Sequence, residues 1–301
     1  MAEGIRRVGI WMNPQKARAR PLALTLANWL EGRGHEVAVP PWVSDLVGPR
    51  VQIATPDVLG ERVGLLVVLG GDGTLLGAAR QTSAAAPPLL GVNLGHLGFL
   101  TEVEEAELFT ALPGILDGEY SLDERMMLEC EVHGAGRPVE RWRALNDVVL
   151  TKGPFARLLR LRVGVDDREV VSYPGDGIII STPTGSTAYS LSAGGPVLHP
   201  HVDGILVSPI CPHTLYSRPL LLSAGERLVL RTDSDQGPTR VDVALTVDAQ
   251  EGRALVPGEW VEVAASPQRA RLVRRPGWNF YAVLRRKLAE DDRLGLERDS
   301  L

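Results

Sequence analysis

The chain has 301 residues, of which 44% are hydrophobic and 23% charged, and carries a formal net charge of −5. Length predicts about two domains. The acidic balance argues against duplex nucleic acid as the main ligand, which calls for a basic surface, while leaving room for a local loop that binds phosphate. Cys130 and Cys211 are the two cysteines. No CxxC pair and no His/Cys cluster at metal-ligand spacing is present, which speaks against a structural zinc site or a disulfide framework. The apolar run after the opening MAEGIRR is too short for a signal-peptide core, and no run approaches membrane-spanning length. A cytoplasmic protein with neither a nucleic-acid nor a membrane partner is expected. The basic residues are almost all arginine. Only Lys16, Lys152 and Lys287 are lysines, so few are available as phosphate clamps.

The first third alternates strand and helix signals. Val8 to Met12 is a short apolar run closed by Asn13-Pro14 and reads as a buried strand. Pro21 to Leu30 carries leucines and Trp29 at helical spacing, with Gly32 and Gly34 as a stop. Glu36 to Val39 reads as a second strand. Leu65 to Leu69 is uniformly apolar and ends in Gly70-Gly71, the pattern of a parallel strand buried on both faces. Thr74 to Arg80 reads as helix and Leu89 to Val92 as the next strand. This order implies an α/β domain with a parallel sheet.

The character changes near Asp123. From there to about Ser266 short β-type runs recur at Met127–Val132, Asp147–Thr151, Leu159–Val165, Gly177–Ser181, Gly204–Ser208, Arg227–Arg231, Val241–Val247 and Trp260–Ala264. They suggest a β-rich, sandwich-like C-terminal domain. Trp278 to Leu288 is amphipathic and reads as a closing helix. The charged tail from Glu290 is expected to fray. The boundaries expected are 1–122 with 268–301 for the α/β domain and 123–267 for the β-rich one.

Three stretches could carry chemistry. Gly70-Gly71-Asp72-Gly73-Thr74 follows the strongest strand. Its glycines allow a tight turn and close approach of N–H groups to an anion, and Thr74 can open a helix whose N-terminus favours negative charge. An aspartate here makes sense if it orients or deprotonates a hydroxyl or holds a metal. The plain alternative is a strand-to-helix turn with an Asp cap, and five residues leave the two readings even. The loop does not fit G-x-G-x-x-G, and the chain has no Gly-Lys dipeptide, so neither the dinucleotide fingerprint nor a P-loop lysine is present. The second stretch, Gly175 to Pro196, reads as turn, strand, hydroxyl-rich loop and short small-residue helix. So polar a loop beside a fully apolar strand points to a ligand. Asn146-Asp147 and Asp248-Ala249-Gln250 read, on spacing alone, as strand initiation and a turn.

Taken together these pieces resemble the NAD kinase family. The match runs through GGDGT at 70–74, ND at 146–147, GDGIIISTPTGSTAYSLSAGGP at 175–196, HP at 199–200, SPICPHTL at 208–215 with RP at 218–219, and the aromatic helix from Trp278. The second-domain stretch is highly specific. GGDGT alone is shared with diacylglycerol and sphingosine kinases and, more loosely, with phosphofructokinases.

The resemblance implies an α/β N-terminal domain, a β-rich C-terminal domain and a C-terminal helix returning to the first. It implies phosphorylation of the adenosine ribose 2′-hydroxyl of NAD to NADP, with ATP or polyphosphate as donor and Mg²⁺ or another divalent metal. Asp72 matches the proton acceptor, within Gly70, Gly71, Gly73 and Thr74. Asn146 and Asp147 match the pair that holds NAD polar groups, Asp176 the ligand-binding Asp of the GDG turn, and Thr187, Ala188, Tyr189, Ser190, Leu191 and Ser192 the segment around the adenine end. Arg157 and Gln250 are weaker matches. NAD is expected between the domains, contacted also by a neighbouring subunit of a homodimer or homotetramer. Two other readings remain open: a lipid kinase sharing GGDGT, for which no membrane-facing apolar stretch is seen, and a non-catalytic NAD(P)-binding protein, against which Asp72 weighs.

Overall fold

The computed structural model describes residues 5–46, 51–82, 86–95, 98–153, 159–166, 168–214, 217–232 and 242–298. It divides into two units, residues 1–123 with 271–301, and residues 124–270.

The first unit opens with β1 (Arg7–Met12), α1 (Ala19–Glu31), β2 (Glu36–Val39), β3 (Gln52–Ile53), α2 (Pro56–Arg62), β4 (Leu65–Gly70), α3 (Asp72–Gln81), β5 (Leu89–Asn93), β6 (Val103–Glu104) and α4 (Leu108–Leu116). Its strands lie in the order β3-β2-β1-β4-β5, all parallel, with β6 parallel to β5. All six residues of β4 are buried, which explains their uniform apolarity: helices and neighbouring strands cover both faces. In α1 the buried residues are Ala19, Leu22, Ala23, Leu26, Ala27 and Leu30. This i, i+3, i+4, i+7 stripe seats the helix on the sheet, each fully buried leucine contributing about 1.5–3 kcal/mol. Gly34, at φ 84°, ends the helix in a conformation that costs other residues strain.

The second unit contains two antiparallel layers built from β7 (Ser121–Gly134), β8 (Glu140–Ala144), β9 (Asp147–Lys152), β10 (Leu159–Val165), β11 (Arg168–Gly175), β12 (Gly177–Ser181), α5 (Tyr189–Ser192), β13 (Gly204–Ile210), β14 (Leu220–Ser223), β15 (Leu228–Thr232), β16 (Val243–Val247), β17 (Glu251–Leu255) and β18 (Glu259–Arg274). One layer runs β14-β13-β12-β9-β16-β17; the other runs β11-β10-β15-β18, with β7 beside β18 and β8 beside β7. One apolar cluster joins them, with Val148, Leu150, Ile178, Ile180 and Ile205 from the first and Leu128, Leu161, Leu230 and Val261 from the second. That shared core is the sandwich expected from the spacing of the strands.

The chain leaves the first unit within β7 and re-enters it within β18, where Leu272 lies beside Leu89 of β5 in parallel register. The expected strand at Trp260–Ala264 is therefore the first part of a 16-residue one. The closing helix, α6 (Phe280–Arg298), belongs to the first unit. It runs through the charged residues that were expected to fray. With β5 and β6 it bounds a hollow of ≈ 640 Å³ lined by Asn93, Glu104, Trp278 and Arg286 among others.

Candidate functional site

In the first unit β1 is followed by β2 on one side, whereas β4 joins β1 on the other. Open parallel sheets bind ligands at the carboxyl ends of the strands where the order reverses in this way. The segments that leave those ends here are Asn13–Lys16 after β1, Gly71–Asp72 after β4, and Leu94, Gly95 and Gly98–Thr101 after β5. The first and third are tied to the end of β4: Asn13 N donates to Leu69 O at 3.4 Å, and Leu94 N to Gly70 O at 2.8 Å.

Gly71 is extended and Asp72 is the first residue of α3, so its charge sits at the positive end of a ten-residue helix. Asp72 Oδ2 accepts from Phe99 N at 2.7 Å, and Oδ1 accepts from Leu100 N at 3.1 Å and Thr101 N at 3.3 Å. Gly98 makes this grip possible, because a Cβ there would overlap the Asp72 carboxylate. A carboxylate offers about four lone-pair sites. Three N–H donors fix the orientation of Asp72 and leave room for one further partner. The loop they come from was missed in the sequence. Its part is played by backbone N–H groups, and the only trace is the pair Gly95 and Gly98 after a buried strand.

The same loop is held by Arg274, which is 1% exposed. Its Nη1 donates to Leu100 O at 3.0 Å and Glu102 Oε2 at 3.1 Å, its Nε donates to Asp123 Oδ2 at 3.0 Å, and its guanidinium lies over Trp278.

In the second unit three distant segments converge on the start of β9. Asp248 Oδ2 accepts from Leu145 N at 3.1 Å, and its Oδ1 accepts from Asn146 N at 2.8 Å and Asp147 N at 3.0 Å. Thr182 donates from N to Asn146 O at 2.9 Å and from Oγ1 to Leu145 O at 2.6 Å. Gly185 packs so tightly on Asn146 that a Cβ would overlap the Asn146 carbonyl. Buried Arg125 donates to Thr184 Oγ1 at 3.1 Å, and Ser186 Oγ accepts from Leu198 N at 2.9 Å. The hydroxyls of this loop are thus largely spent on shaping it. Asp147 is 4% exposed, and burial, with the charge of Asp248 adding to it, pushes its carboxyl up to about 7.

The remaining expected residues spread more widely. Thr187 closes a 3-10 turn and Ala188 leads into α5. Tyr189, Leu191 and Ser192 are exposed, whereas Ser190 is buried against Ser208 Oγ at 2.8 Å. Gln250 is exposed in the turn after β16 and caps it through a bond from its N to Val247 O at 3.0 Å. Asp176 stands apart. It precedes β12, whose other end carries Ser181 opposite Asp147, and it pairs with Lys152 Nζ at 2.7 Å. Five strand residues separate the two ends, roughly 14–17 Å at 3.3 Å per residue. Arg157 lies outside the described residues.

One cluster of metal-ligand spacing occurs among the described residues, Glu131, His133 and Glu262. Arg141 holds Glu131 and Arg227 holds Glu262, so the cluster is accounted for as an ion-pair network on β7 and β18.

The chain matches the ATP-NAD kinase N-terminal domain over residues 8–120 and the ATP-NAD kinase C-terminal domain over residues 145–275. It is 44% identical over 287 residues to an NAD kinase of Moorella thermoacetica, covering 95% of this chain and 90% of that protein. The chain belongs to the NAD kinase family. A second NAD kinase, from Syntrophotalea carbinolica, is 43% identical across 96% of this chain and 100% of its own length. Yeast NADH kinase, solved with NADH, superposes with a TM-score of 0.87 at 25% identity, covering 96% of this chain and 88% of that one. An NAD kinase from Archaeoglobus fulgidus, solved with ATP, shares the fold with a TM-score of 0.68 at 21% identity, covering 90% and 94%. As a member of this family the chain is a phosphotransferase that converts NAD to NADP.

Proposed function

We propose that this NAD kinase moves the terminal phosphoryl group of ATP to the adenosine ribose 2′-hydroxyl, with Asp72 accepting the hydroxyl proton. Phosphoryl transfer depends on positioning and charge stabilisation more than on covalent help. The observation that carries the reading is the grip on Asp72: three N–H donors hold its carboxylate at the head of α3, beside glycines, at the carboxyl end of a parallel sheet. Such a base contributes about 10²–10⁴-fold.

Recognition of NAD is assigned to the second unit. Asn146 is held from both sides by Asp248 and Thr182, and Asp147 by Asp248, which supports their use as a rigid polar edge. Exposed Tyr189 and Leu191 offer surface for the adenine end. A divalent metal would enter with the donor. Mg²⁺ keeps several waters and needs few protein carboxylates besides the substrate phosphates, so it does not call on Asp72, whose one remaining acceptor position is assigned to the hydroxyl. When bound, the metal would neutralise donor phosphate charge. Asp176, at the far end of β12 from Asn146, suits a contact to NAD held by another copy of the chain, so a homodimer or homotetramer is proposed with it. No helix among the described residues is long and apolar enough to cross a membrane, and a cytoplasmic setting is proposed.

The test is a coupled assay with NAD, Mg²⁺ and either ATP or polyphosphate, read as NADP formed. Phosphorylation of a lipid in place of NAD, or NAD binding without turnover, would overturn the proposal.

A further inference from the structure

Lys16 is one of three lysines in the chain and stands at the turn after β1. The turn is built tightly: Gln15 N donates to Asn13 Oδ1 at 2.9 Å, Lys16 N donates to Asn13 O at 3.1 Å, and Ala19 N donates to Lys16 O at 2.9 Å. The side chain reaches over two glycines. Its Nζ lies 3.5 Å from where a Cβ of Gly71 would stand and 4.0 Å from where a Cβ of Gly95 would stand. The ammonium therefore lies where three strands end, beside two residues that bring no side chains of their own.

The electrostatics of this position are unfavourable as the protein stands. A cation beside the N-terminus of α3 meets the positive end of the helix dipole. The carboxylate that follows Gly71, Asp72, is engaged by the N–H groups of residues 99, 100 and 101. Lys16 makes no ion pair among the described residues. Its surroundings would be balanced by an anion entering from outside. A lysine is a compact point charge with three rotatable donors, suited to phosphate oxygens whose charge shifts during reaction.

We propose that Lys16 binds the terminal phosphate of the donor and stabilises it during transfer. The inference rests on reading Gly70–Thr74 as the donor-phosphate loop. In the step, the ribose 2′-oxygen forms a bond to phosphorus while the bond from phosphorus to the bridging oxygen of ADP breaks. The hydroxyl proton passes to Asp72, and the bonding electrons leave with ADP. Lys16 neutralises charge on the non-bridging oxygens and exchanges no proton.

The test compares wild type, Lys16→Met and Lys16→Arg in steady-state kinetics and in calorimetric titration of ATP with Mg²⁺ in the absence of NAD. Lys16→Met is expected to raise KM for ATP on the order of 10- to 100-fold, the effect of losing a hydrogen bond to a charged group, and to change KM for NAD less than about twofold. Lys16→Arg is expected to recover most of the loss. An unchanged KM and affinity for ATP in Lys16→Met overturns the proposal, as does an equal rise in both KM values. The titration separates the two ideas. If wild type forms no NADP yet binds ATP in a Lys16-dependent way, the transfer reading of Asp72 fails and the Lys16 site stands. If wild type binds no ATP, both fail.

Discussion

Asp72 and Arg274 hold the two peptide groups that flank one residue: the N–H of Leu100 donates to Asp72 Oδ1 at 3.1 Å, and its carbonyl accepts from Arg274 Nη1 at 3.0 Å. The residue assigned to chemistry is thereby tied through one loop residue to the most deeply buried arginine among the described residues.

Asp72→Asn separates the two roles of this carboxylate. The amide keeps the shape but turns one acceptor into a donor facing backbone N–H groups. A loss of stability of about 1–3 kcal/mol is expected from the unsatisfied donor, together with a fall in turnover of about 10²–10⁴-fold and little change in NAD affinity. Thermal melts and NADP-forming kinetics read both. Turnover near that of wild type would refute Asp72 as proton acceptor.

Arg274→Met removes the guanidinium shared by Glu102 and Asp123, which are 5% and 4% exposed at their side chains. Breaking a buried ion pair at one partner costs about 3–5 kcal/mol. Urea unfolding should show a loss of that size. A change below about 1 kcal/mol would mean that the network contributes orientation alone.

Asp147 predicts a pH dependence. Its carboxyl titrates at about 7 in the folded chain, against about 3.9 when unfolded. Between these values the native state holds a proton that the unfolded state has released. Stability from this group is therefore fully present below about pH 4, falls by about 1.4 kcal/mol per unit as pH rises towards 7, and is flat above. Asp147→Asn should remove that slope. Denaturation midpoints of both proteins across the range from about pH 5 to about pH 8 supply the comparison, and parallel profiles would count against the assignment.

Gly185→Ala tests whether recognition depends on the placement of Asn146. The added methyl must displace the Asn146 carbonyl, an overpacking that costs about 1–3 kcal/mol. KM for NAD should rise about tenfold or more, as it should in Asn146→Ala, while KM for ATP stays within about twofold. Equal effects on both substrates would argue that the segment is only structural.

Much of this architecture could be read from residue pattern. β1, β4 and β5 announce themselves as apolar runs because both of their faces are covered, and α1 shows its stripe because only one of its faces is. β8 and β11 escaped notice. ERWRA and REVVSYPG mix buried and exposed residues without clean alternation, and their Trp142 and Val171 pack against the core while only partly buried. In α4, Pro113 inside the helix masks a segment that buries Leu108, Leu112, Ile115 and Leu116. At the site, the glycines of residues 70–73 were conspicuous, but the 98–101 loop was not. Nothing in the side chains of Phe99 or Leu100 signals that their backbone N–H groups serve Asp72. The function of Asp248 was equally hidden: it caps three peptide groups more than 100 residues away.

That last separation bears on how the protein acquires its activity. Asn146 is fastened by Thr182 and Gly185 on one side and Asp248 on the other, with sequence separations of 36 to 102 residues. Contacts so distant must wait for the intervening chain to close into loops, and pairings of this kind form slowly. During refolding from denaturant, recovery of NAD affinity should trail recovery of the far-ultraviolet signal. The enzyme would pass through a period in which its sheets are present and its substrate is not yet recognised.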